Sequence, residues 1–358
     1  MKTHARSVGN TIHIATCVPP RYDVAYECYP VTTPSFADLR SQDVYAAADR
    51  IRGVARRTPL RHSAALSELT GTDVYLKLEC EQITGSFKLR GAYNALASLP
   101  ANVRARGVVV ASAGNHGLGI AYSARELAIP ATLYIPSTAP HVKRDGIAAL
   151  GATIDASSPD YEAALVLAME HAERESIPFV SATQNLDVVA GQGTAALEIL
   201  EELRSLRTVL VPVGGAGLLA GFGMFLRDVA PDVRIIGVQG TRSAAMARSL
   251  EANRVVPVPH EITLADGLAG DIDEFALDVG RNSLDLLAIV TEEEIEAAIA
   301  WLYTQEGLVV EGSGAVGVAA LLQKKVYKPG GPVVVVLSGA NIDPAKHARI
   351  VAAHSAVA

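Results

Sequence analysis

The 358-residue chain has few cysteines, few aromatic side chains and no excess of basic charge. Its three cysteines, Cys17, Cys28 and Cys80, are too few and too scattered for a disulfide framework or a zinc site. Acidic residues outnumber basic ones by 38 to 31, so the surface lacks the positive charge that nucleic acids and anionic membranes require. These counts predict a cytoplasmic protein that binds neither nucleic acid nor membrane.

Long apolar runs are also missing. The uncharged stretch 208–224 carries several glycines and falls short of the about 20 apolar residues that a transmembrane helix needs. Near the N-terminus the apolar run 11–18 is short and includes His13, so we predict no signal peptide. Residues 1–35 lack periodicity and contain four prolines, which is typical of an irregular extension.

From residue 36 onward, short β-branched runs alternate with amphipathic helical stretches. The predicted strands are at 73–79, 107–111, 131–135, 208–213, 233–238 and 332–337. The predicted helices include 142–150, 161–173, 193–203 and 291–306. This alternation predicts an α/β fold of mostly parallel sheets with helices on both faces. In such folds ligands bind where strands lead into helices.

The first strand-to-helix junction with residues suited to chemistry is 83–92. It places Lys88 in the first turn of a helix, behind Ser86, which we predict as the N-cap. The helix dipole disfavours a cation at that position and so favours the neutral amine that an imine-forming lysine needs. Taken alone, a lysine at this position is more often a solvated helix residue.

Three further junctions have the same layout. The second, 111–117, ends a strand in small residues whose free N–H groups can hold a carboxylate, and Asn115 adds a donor and an acceptor. The third, 211–218, carries a Gly-Gly-Ala-Gly run typical of a phosphate nest and has neither P-loop nor Rossmann spacing. The fourth, 335–341, contains Ser338, whose hydroxyl can bond to a ring nitrogen. Individually, each is also consistent with an ordinary capped or packing turn.

In this order the junctions resemble those of the fold-type II pyridoxal-phosphate enzymes, within the branch of threonine/serine dehydratases (ammonia-lyases) and serine racemase. The resemblance extends from about residue 36 to 343 and includes 57–60, 190–194, 263–267 and 311–315. It implies two open, mostly parallel twisted sheets flanked by helices (the tryptophan synthase β-like fold), with the smaller domain inserted in the larger. The implied divisions are an extension at 1–35, a large cofactor-binding domain at 36–105 and 188–358, and a small substrate-loop domain at 106–187.

The resemblance also implies the site residues. Lys88 would be the catalytic base and would hold pyridoxal 5′-phosphate covalently. The third junction would bind the phosphate, Asn115 the ring hydroxyl and Ser338 the ring nitrogen, and for Glu311 a helix-capping role stays open. The implied cofactor-binding set is Lys88, Phe87, Asn115, Gly214, Gly215, Ala216, Gly217, Leu218, Glu311 and Ser338. The implied substrate-carboxylate set is Ser112, Ala113, Gly114, Asn115 and His116.

The reaction that the resemblance implies is the conversion of a threonine- or serine-like β-hydroxy L-amino acid to a 2-oxo acid and ammonia. Alternatives on this scaffold are an amino-acid racemase, a β-replacement enzyme or a degenerate binding protein. Ala113 stands where the serine racemase pattern has a proton-transferring serine, which favours elimination. The resemblance further implies a homodimer with a small-molecule substrate.

Two departures from the family pattern concern metal and phosphate. Gln239 and Ala245 replace the acidic residues of a divalent-cation site, so we predict no metal there. Ala216 replaces a usual glycine and is tolerable only with a negative φ. A positive φ at Ala216 would weaken cofactor binding.

Overall fold

The computed structural model describes residues 34–139, 141–259 and 261–355, with only the backbone of 141–143 and of 355. Most of the extension predicted at 1–35 therefore lies outside the described residues. Within them, two sheets are flanked by helices, and the predicted α/β class is confirmed.

The larger sheet has the strand order β1-β2-β9-β6-β7-β8. Apart from the antiparallel pair of β1 and β2, its strand pairs are parallel. Because β2, β9 and β6 are parallel neighbours, their carboxyl ends meet at one edge, which brings the first, fourth and third junctions together. The strands are β1 (Leu60–His62), β2 (Val74–Lys77), β6 (Thr208–Pro212), β7 (Arg234–Gly240), β8 (Leu286–Val290) and β9 (Val333–Val336).

The smaller sheet consists of the parallel strands β3 (Val108–Ala111), β4 (Ala131–Pro136) and β5 (Thr153–Ser158), in that order. All three fall inside the segment 106–187, while the division of the chain into domains stays a prediction. Because β3 leads directly into the second junction, this sheet carries the residues expected to face the substrate.

Helices follow most strands. The helices are α1 (Ser41–Ile51), α2 (Ala64–Thr70), α3 (Lys88–Ser98), α4 (Ala101–Arg104), α5 (Asn115–Leu127), α6 (His141–Ala148), α7 (Tyr161–Arg174), α8 (Leu186–Glu202), α9 (Gly217–Val229), α10 (Ala245–Ala252), α11 (Glu274–Ser283), α12 (Glu292–Glu306), α13 (Gly312–Leu322) and α14 (Pro344–Ser355). Among the described residues, none of these combines the length and apolar character that a membrane crossing requires.

Both faces of the larger sheet are buried. On β9, Val334 and Val336 pack into a core with Phe222 of α9, whereas Val333 and Val335 pack into a second core with Val316 of α13. Successive strand side chains point to opposite faces, so a continuous valine run suits a strand covered on both sides. The two cores hold the sheet rigid beneath the edge where the junctions meet.

Candidate active site

Lys88 is the first residue of α3, and Phe87 occupies the N-cap position without a side-chain capping bond. The prediction that Ser86 caps this helix is wrong. Ser86 instead forms an isolated β-bridge with Gly339, and its buried hydroxyl has no hydrogen-bond partner within the described residues. The Phe87 amide donates to the Ser338 carbonyl at 3.1 Å. These backbone contacts hold the start of α3 against the end of β9.

The surroundings of Lys88 favour the neutral form of its amine. Its side chain is half-buried and closely surrounded by protein. This burial lowers the pKa of Lys88 to about 8, whereas the negative charge of Glu311 opposes the shift. The positive end of the helix dipole acts in the same direction as burial. A lysine with such a pKa carries a substantial fraction of nucleophilic amine near neutral pH. This favours an imine-forming lysine over a solvated helix lysine.

The third junction is a nest of backbone donors between Pro212, where β6 ends, and Gly217, where α9 begins. No backbone amide from residue 214 to 219 donates to another group in the part of the chain that the structure describes. A Cβ at Gly214 would lie 2.8 Å from the Leu268 Cα, and one at Gly217 would lie 2.6 Å from the Ala182 carbonyl oxygen. The run is thus a packing turn whose free amides, at a helix N-terminus, are chemically suited to an anion.

The expectation that Ala216 needs a negative φ is wrong, because its φ is +67°, in the left-handed region in which a Cβ is strained. We expect Ala216→Gly to raise the free energy of unfolding by about 1 kcal/mol, because glycine adopts this conformation without strain. The strain favours relaxation of the empty nest, and glycine removes this cost of binding, so cofactor affinity should rise about fivefold. Thermal unfolding and titration with pyridoxal phosphate measure the two effects.

Ala128 provides a matched control for that substitution. It has a φ of +53° at the C-cap of α5, away from the donor nest. Ala128→Gly should therefore stabilise the fold and leave the cofactor affinity unchanged. If the two variants changed cofactor affinity equally, or if neither did, strain at Ala216 would have no bearing on phosphate binding.

Ser338 follows β9, the strand that lies between β2 and β6, and so stands between the other two junctions of this edge. It is buried, and no hydrogen bond of its hydroxyl is found within the described residues. The alternative that Ser338 caps a helix is wrong, because α14 begins only at Pro344. Its hydroxyl is therefore available to a ligand.

The second junction presents donors from the smaller sheet. The Ser112 hydroxyl oxygen accepts from the amides of Gly114 and Gly117 at 3.2 Å each, so it caps the start of α5. The other N–H groups of this turn have no acceptor within the described residues; they are those of Ala113, Asn115 and His116. Free amides at a helix N-terminus suit the carboxylate of an amino acid.

Asn115 connects this junction to the larger sheet. Its Nδ2 donates to Glu311 Oε1 at 2.8 Å. Glu311 stands at the N-cap position of α13 but makes no side-chain capping bond, so the capping alternative is not supported. Its buried carboxylate faces Asn115 and also acts electrostatically on Lys88. Glu311 therefore lies beside Asn115 and near Lys88, and its role toward a cofactor stays a prediction.

His116 is buried and neutral. Its Nε2 lies 3.0 Å from the Val180 carbonyl oxygen, which requires the proton to be on Nε2. Burial lowers the pKa of His116 to about 3, and the charge of Lys88 adds to this, while the bond to Val180 opposes it. His116 thus carries no positive charge, and only its backbone N–H would be open to a ligand.

Gln239 forms hydrogen bonds that hold the backbone immediately before the nest. Its Nε2 donates to the carbonyl oxygens of Val213 at 3.1 Å and Ser243 at 2.9 Å, and its Oε1 accepts from the Ala247 amide at 3.0 Å. Among the described residues no cluster of three or more candidate metal ligands is found. The absence of a metal at Gln239 and Ala245 stays a prediction.

Sequence analysis assigned no role to Asn341, which lies three residues beyond Ser338. Its Nδ2 donates to Asn115 Oδ1 at 2.7 Å and to the Thr84 carbonyl at 2.9 Å. Its position in the fourth junction indicated a place near the site, but its partners Thr84 and Asn115 are far from it in the sequence. No local pattern could have paired them.

These groups fit pyridoxal phosphate in chemical kind. The amine of Lys88 suits the aldehyde, and the nest of free amides suits the phosphate. The hydroxyl of Ser338 and the amide of Asn115 suit the polar atoms of the ring. The second junction then leaves a separate set of donors for a substrate carboxylate.

Comparison with known proteins agrees with this fit. A family model described as pyridoxal-phosphate dependent enzyme matches residues 51–339. The chain is 42% identical over 306 residues to the L-threonine ammonia-lyase of Thermotoga maritima, covering 84% of this chain and 75% of that protein. It is similar in structure to maize serine racemase, with a TM-score of 0.83, 28% identity and coverage of 89% and 98% of the two chains. The processed threonine deaminase isoform 2 of Solanum lycopersicum gives a TM-score of 0.81 at 32% identity, with coverage of 88% and 87%.

Proposed function

The chain belongs to the pyridoxal-phosphate-dependent enzyme family, and we propose that it is a lyase that converts a β-hydroxy L-amino acid to a 2-oxo acid and ammonia. One observation carries the proposal: a lysine with a lowered pKa, a serine hydroxyl and a nest of amides follow three neighbouring parallel strands at one sheet edge. Within the described residues, the hydroxyl and the amides have no hydrogen-bond partner. Threonine and serine are the proposed substrates, since relatives at 37–42% identity are named threonine ammonia-lyases or dehydratases.

The cofactor residues are assigned by chemical kind. We propose that Lys88 holds pyridoxal phosphate covalently, beside the ring of Phe87. The amides of residues 214–218 would donate to its phosphate, and Ser338 and Asn115 to its ring, with Glu311 alongside. When bound, this cofactor draws electrons away from the substrate Cα and so makes the Cα proton removable.

Lys88 also supplies the base. Because its pKa is lowered to about 8, its amine is able to accept a proton from Cα near neutral pH. The N–H groups of Ala113, Asn115 and His116 would hold the substrate carboxylate and so orient Cα toward the amine. Ser338 offers a neutral hydroxyl at the ring, and a neutral partner favours prompt loss of the β-hydroxyl over a long-lived carbanion. Overall, the amino acid yields one 2-oxo acid and one ammonia.

Racemisation is the second candidate, and the likeness to maize serine racemase is the observation in its favour. A racemase needs a proton donor on the face of Cα opposite to the lysine. Ala113, which stands at that place in the family pattern, has no transferable proton. Elimination is therefore the function that these residues support better.

A product assay decides between the two. The purified holoenzyme is incubated with L-threonine and with L-serine, and ammonia, 2-oxo acid and D-amino acid are measured together. Ammonia and 2-oxo acid formed in equal amounts would support the proposal. D-amino acid without 2-oxo acid would reverse the ranking, and Lys88→Arg protein prepared in parallel gives the background rate.

We also propose a cytoplasmic location and a homodimeric state. The low cysteine content supports the first, since it suits a reducing compartment. Likeness to the family supports the second. Sedimentation of the purified protein at several concentrations tests the dimer.

The pKa of Lys88 predicts how cofactor capture depends on pH. Full-length protein freed of cofactor should capture pyridoxal phosphate at a rate that rises with pH through about 8, since only the neutral amine reacts. The rate of appearance of visible absorption, followed by stopped flow, measures this. An ordinary lysine would give a midpoint near about 10.4 instead.

Glu311→Gln provides a second test of the pKa assigned to Lys88. The Glu311 charge raises the pKa of Lys88, so its removal should move the midpoint to lower pH. Glutamine keeps an oxygen that can accept from Asn115, so the hydrogen bond survives the substitution. A midpoint that moved upward would contradict the assigned interaction.

A further inference from the structure

Asn341 occupies a defined place among three chain segments that meet at the site. Its Nδ2 donates to the Thr84 carbonyl at 2.9 Å and to Asn115 Oδ1 at 2.7 Å. A Cβ at Gly85 would lie only 2.5 Å from Asn341 Oδ1, so the side chain rests directly on that glycine. Asn341 therefore links the turn before Lys88 to the start of α5.

In this series of hydrogen bonds, the direction of each bond follows from which atoms can donate and which can accept. A backbone carbonyl can only accept, so the Asn341 atom that faces Thr84 is the nitrogen. That nitrogen has two N–H groups, and the second donates to Asn115, whose facing atom must be the oxygen. The Asn115 nitrogen then faces Glu311, whose carboxylate accepts from it at 2.8 Å.

Asn115 has one N–H group left after the bond to Glu311. The reverse orientation of its amide would place Oδ1 against the Glu311 carboxylate and Nδ2 against the Asn341 nitrogen, so that like groups would face each other at both ends. We propose that Asn341 is a positioning residue that fixes the amide of Asn115, so that Asn115 presents a donor and not an acceptor to the ring hydroxyl of the cofactor. This inference rests on the proposed function, because it assumes that pyridoxal phosphate binds at Asn115.

A donor at that position has a specific consequence. It binds the ring oxygen most strongly when that oxygen is ionised, since hydrogen bonds to charged groups are about twice as strong as neutral ones. The contribution of Asn341 should therefore depend on the ring oxygen alone and not on the phosphate. A cofactor analogue that lacks the hydroxyl separates the two.

The test compares pyridoxal 5′-phosphate with 3-deoxypyridoxal 5′-phosphate. Full-length wild type, Asn341→Asp and Asn341→Ala are freed of cofactor, and the affinity for each ligand is measured by equilibrium dialysis. Asn341→Asp places acceptors against the Thr84 carbonyl and the Asn115 oxygen, so we expect about a tenfold or greater loss of affinity for pyridoxal phosphate. Asn341→Ala removes the donor without adding a charge and should lose less. For the deoxy analogue, all three proteins should bind alike.

Asn282→Asp serves as a matched control. Asn282 also donates to a backbone carbonyl, that of Asp278 at 2.8 Å, but it lies exposed on α11 outside the site. This variant should bind both ligands as the wild type does. The pH at which the visible absorption of the bound cofactor changes gives a second readout, and it should rise in Asn341→Asp and stay unchanged in Asn282→Asp.

Distinct results overturn the inference and the proposed function. If the Asn341 variants lost affinity equally for both ligands, the residue would act only on the fold, and the inference would fail. The same holds if the variants bound pyridoxal phosphate as well as the wild type. A wild type that bound no pyridoxal phosphate would instead overturn the proposed function itself.

Discussion

Lys88→Ala should lower the rate of 2-oxo acid formation by on the order of 10³-fold or more. The same variant should lose the visible absorption that marks covalently bound cofactor. Both losses have one cause, because the Lys88 amine is the group that we propose to bind the cofactor and to accept the Cα proton. Steady-state assays and an absorption spectrum of the purified protein measure them.

Lys88→Arg is the matched control. Arginine restores a positive charge at the start of α3, but its guanidinium stays protonated and does not form an imine. It should therefore be as inactive as Lys88→Ala, although it retains the charge. If Lys88→Arg kept substantial activity, the charge and not the nucleophile would be the contribution of Lys88.

Lys88→Ala should also separate stability from function. The fold lowers the pKa of Lys88, so the protonated amine is less favourable in the folded than in the unfolded protein. Its unfavourable contribution is present at neutral pH and disappears as the pH rises above the ordinary lysine pKa. Lys88→Ala freed of cofactor should therefore melt at the same or a higher temperature than wild type treated alike. Loss of activity without loss of stability is what a functional lysine requires.

The four junctions could be predicted because each is a local pattern of buried strand, small residues and helix start. The arrangement of those junctions could not. Lys88, Ser338 and the nest share one edge because β9 inserts between β2 and β6, although β9 follows both of them in the sequence by more than 100 residues. Strands that pair across such long sequence distances show no pattern in either segment that identifies the partner. Asn341 was overlooked for the same reason.

Ser86 shows how tertiary contacts override a local preference. Serine is favoured at helix N-caps, and the sequence around Lys88 fits that rule. In the structure, Ser86 pairs with Gly339 as an extended residue, so the helix begins after Phe87. A bridge to the end of β9 thus outweighs one capping bond.

The start of α8 was placed too late for a related reason. Its N-terminal half contains Gly191 and Gly193, and glycine weakens a helix interior, so the predicted helix began only at 193. The structure begins it at Leu186. A Cβ at Gly191 would lie 2.5 Å from the Gly91 Cα of α3, so the glycine allows two helices to touch. Close packing, not propensity, determines this residue.

Three strands were not predicted, and their sequences explain why. β1 has only three residues, β5 reads Thr-Ile-Asp-Ala-Ser-Ser and is half-buried over most of its length, and β8 is partly exposed at the edge of its sheet. Edge strands need not be apolar on both faces, so they lack the continuous β-branched run that marks the central ones. The predicted strands were the buried ones, and the four junctions belong to them.

Arg90→Met is expected to lower the free energy of unfolding by about 3–5 kcal/mol, the typical effect of breaking a buried ion pair. Arg90 lies two residues beyond Lys88, and both it and Glu79 are fully buried. Its guanidinium donates to Glu79 at 2.8 and 2.9 Å and to Glu198 at 2.7 and 2.8 Å. Removal of the arginine leaves the Glu79 carboxylate buried without its main cation. Urea unfolding measures the loss.

The pH dependence of that loss follows from Glu79. Burial alone would raise the pKa of Glu79, but the charge and hydrogen bonds of Arg90, with Lys77 and Thr58, hold it below the ordinary value. In the wild type this stabilises the fold above the unfolded pKa of glutamate, and the gain is lost as the pH falls through the folded pKa. Without Arg90, burial dominates and the pKa of Glu79 rises, so acid neutralises the stranded carboxylate. The stability gap between the two proteins should therefore narrow on acidification.

Two further variants make the interpretation specific. Arg52→Met breaks an exposed pair with Asp49 and should cost at most about 1 kcal/mol, because solvent screens such pairs. The double variant Glu79→Leu/Arg90→Met removes both buried charges and leaves Lys77 paired with Glu198 at 2.6 Å, so it should be more stable than Arg90→Met alone. A double variant as unstable as the single one would mean that Arg90 stabilises the fold by packing rather than by its charge. A stability difference between wild type and Arg90→Met that stayed constant in acid would lead to the same conclusion, since no titrating carboxylate would then be involved.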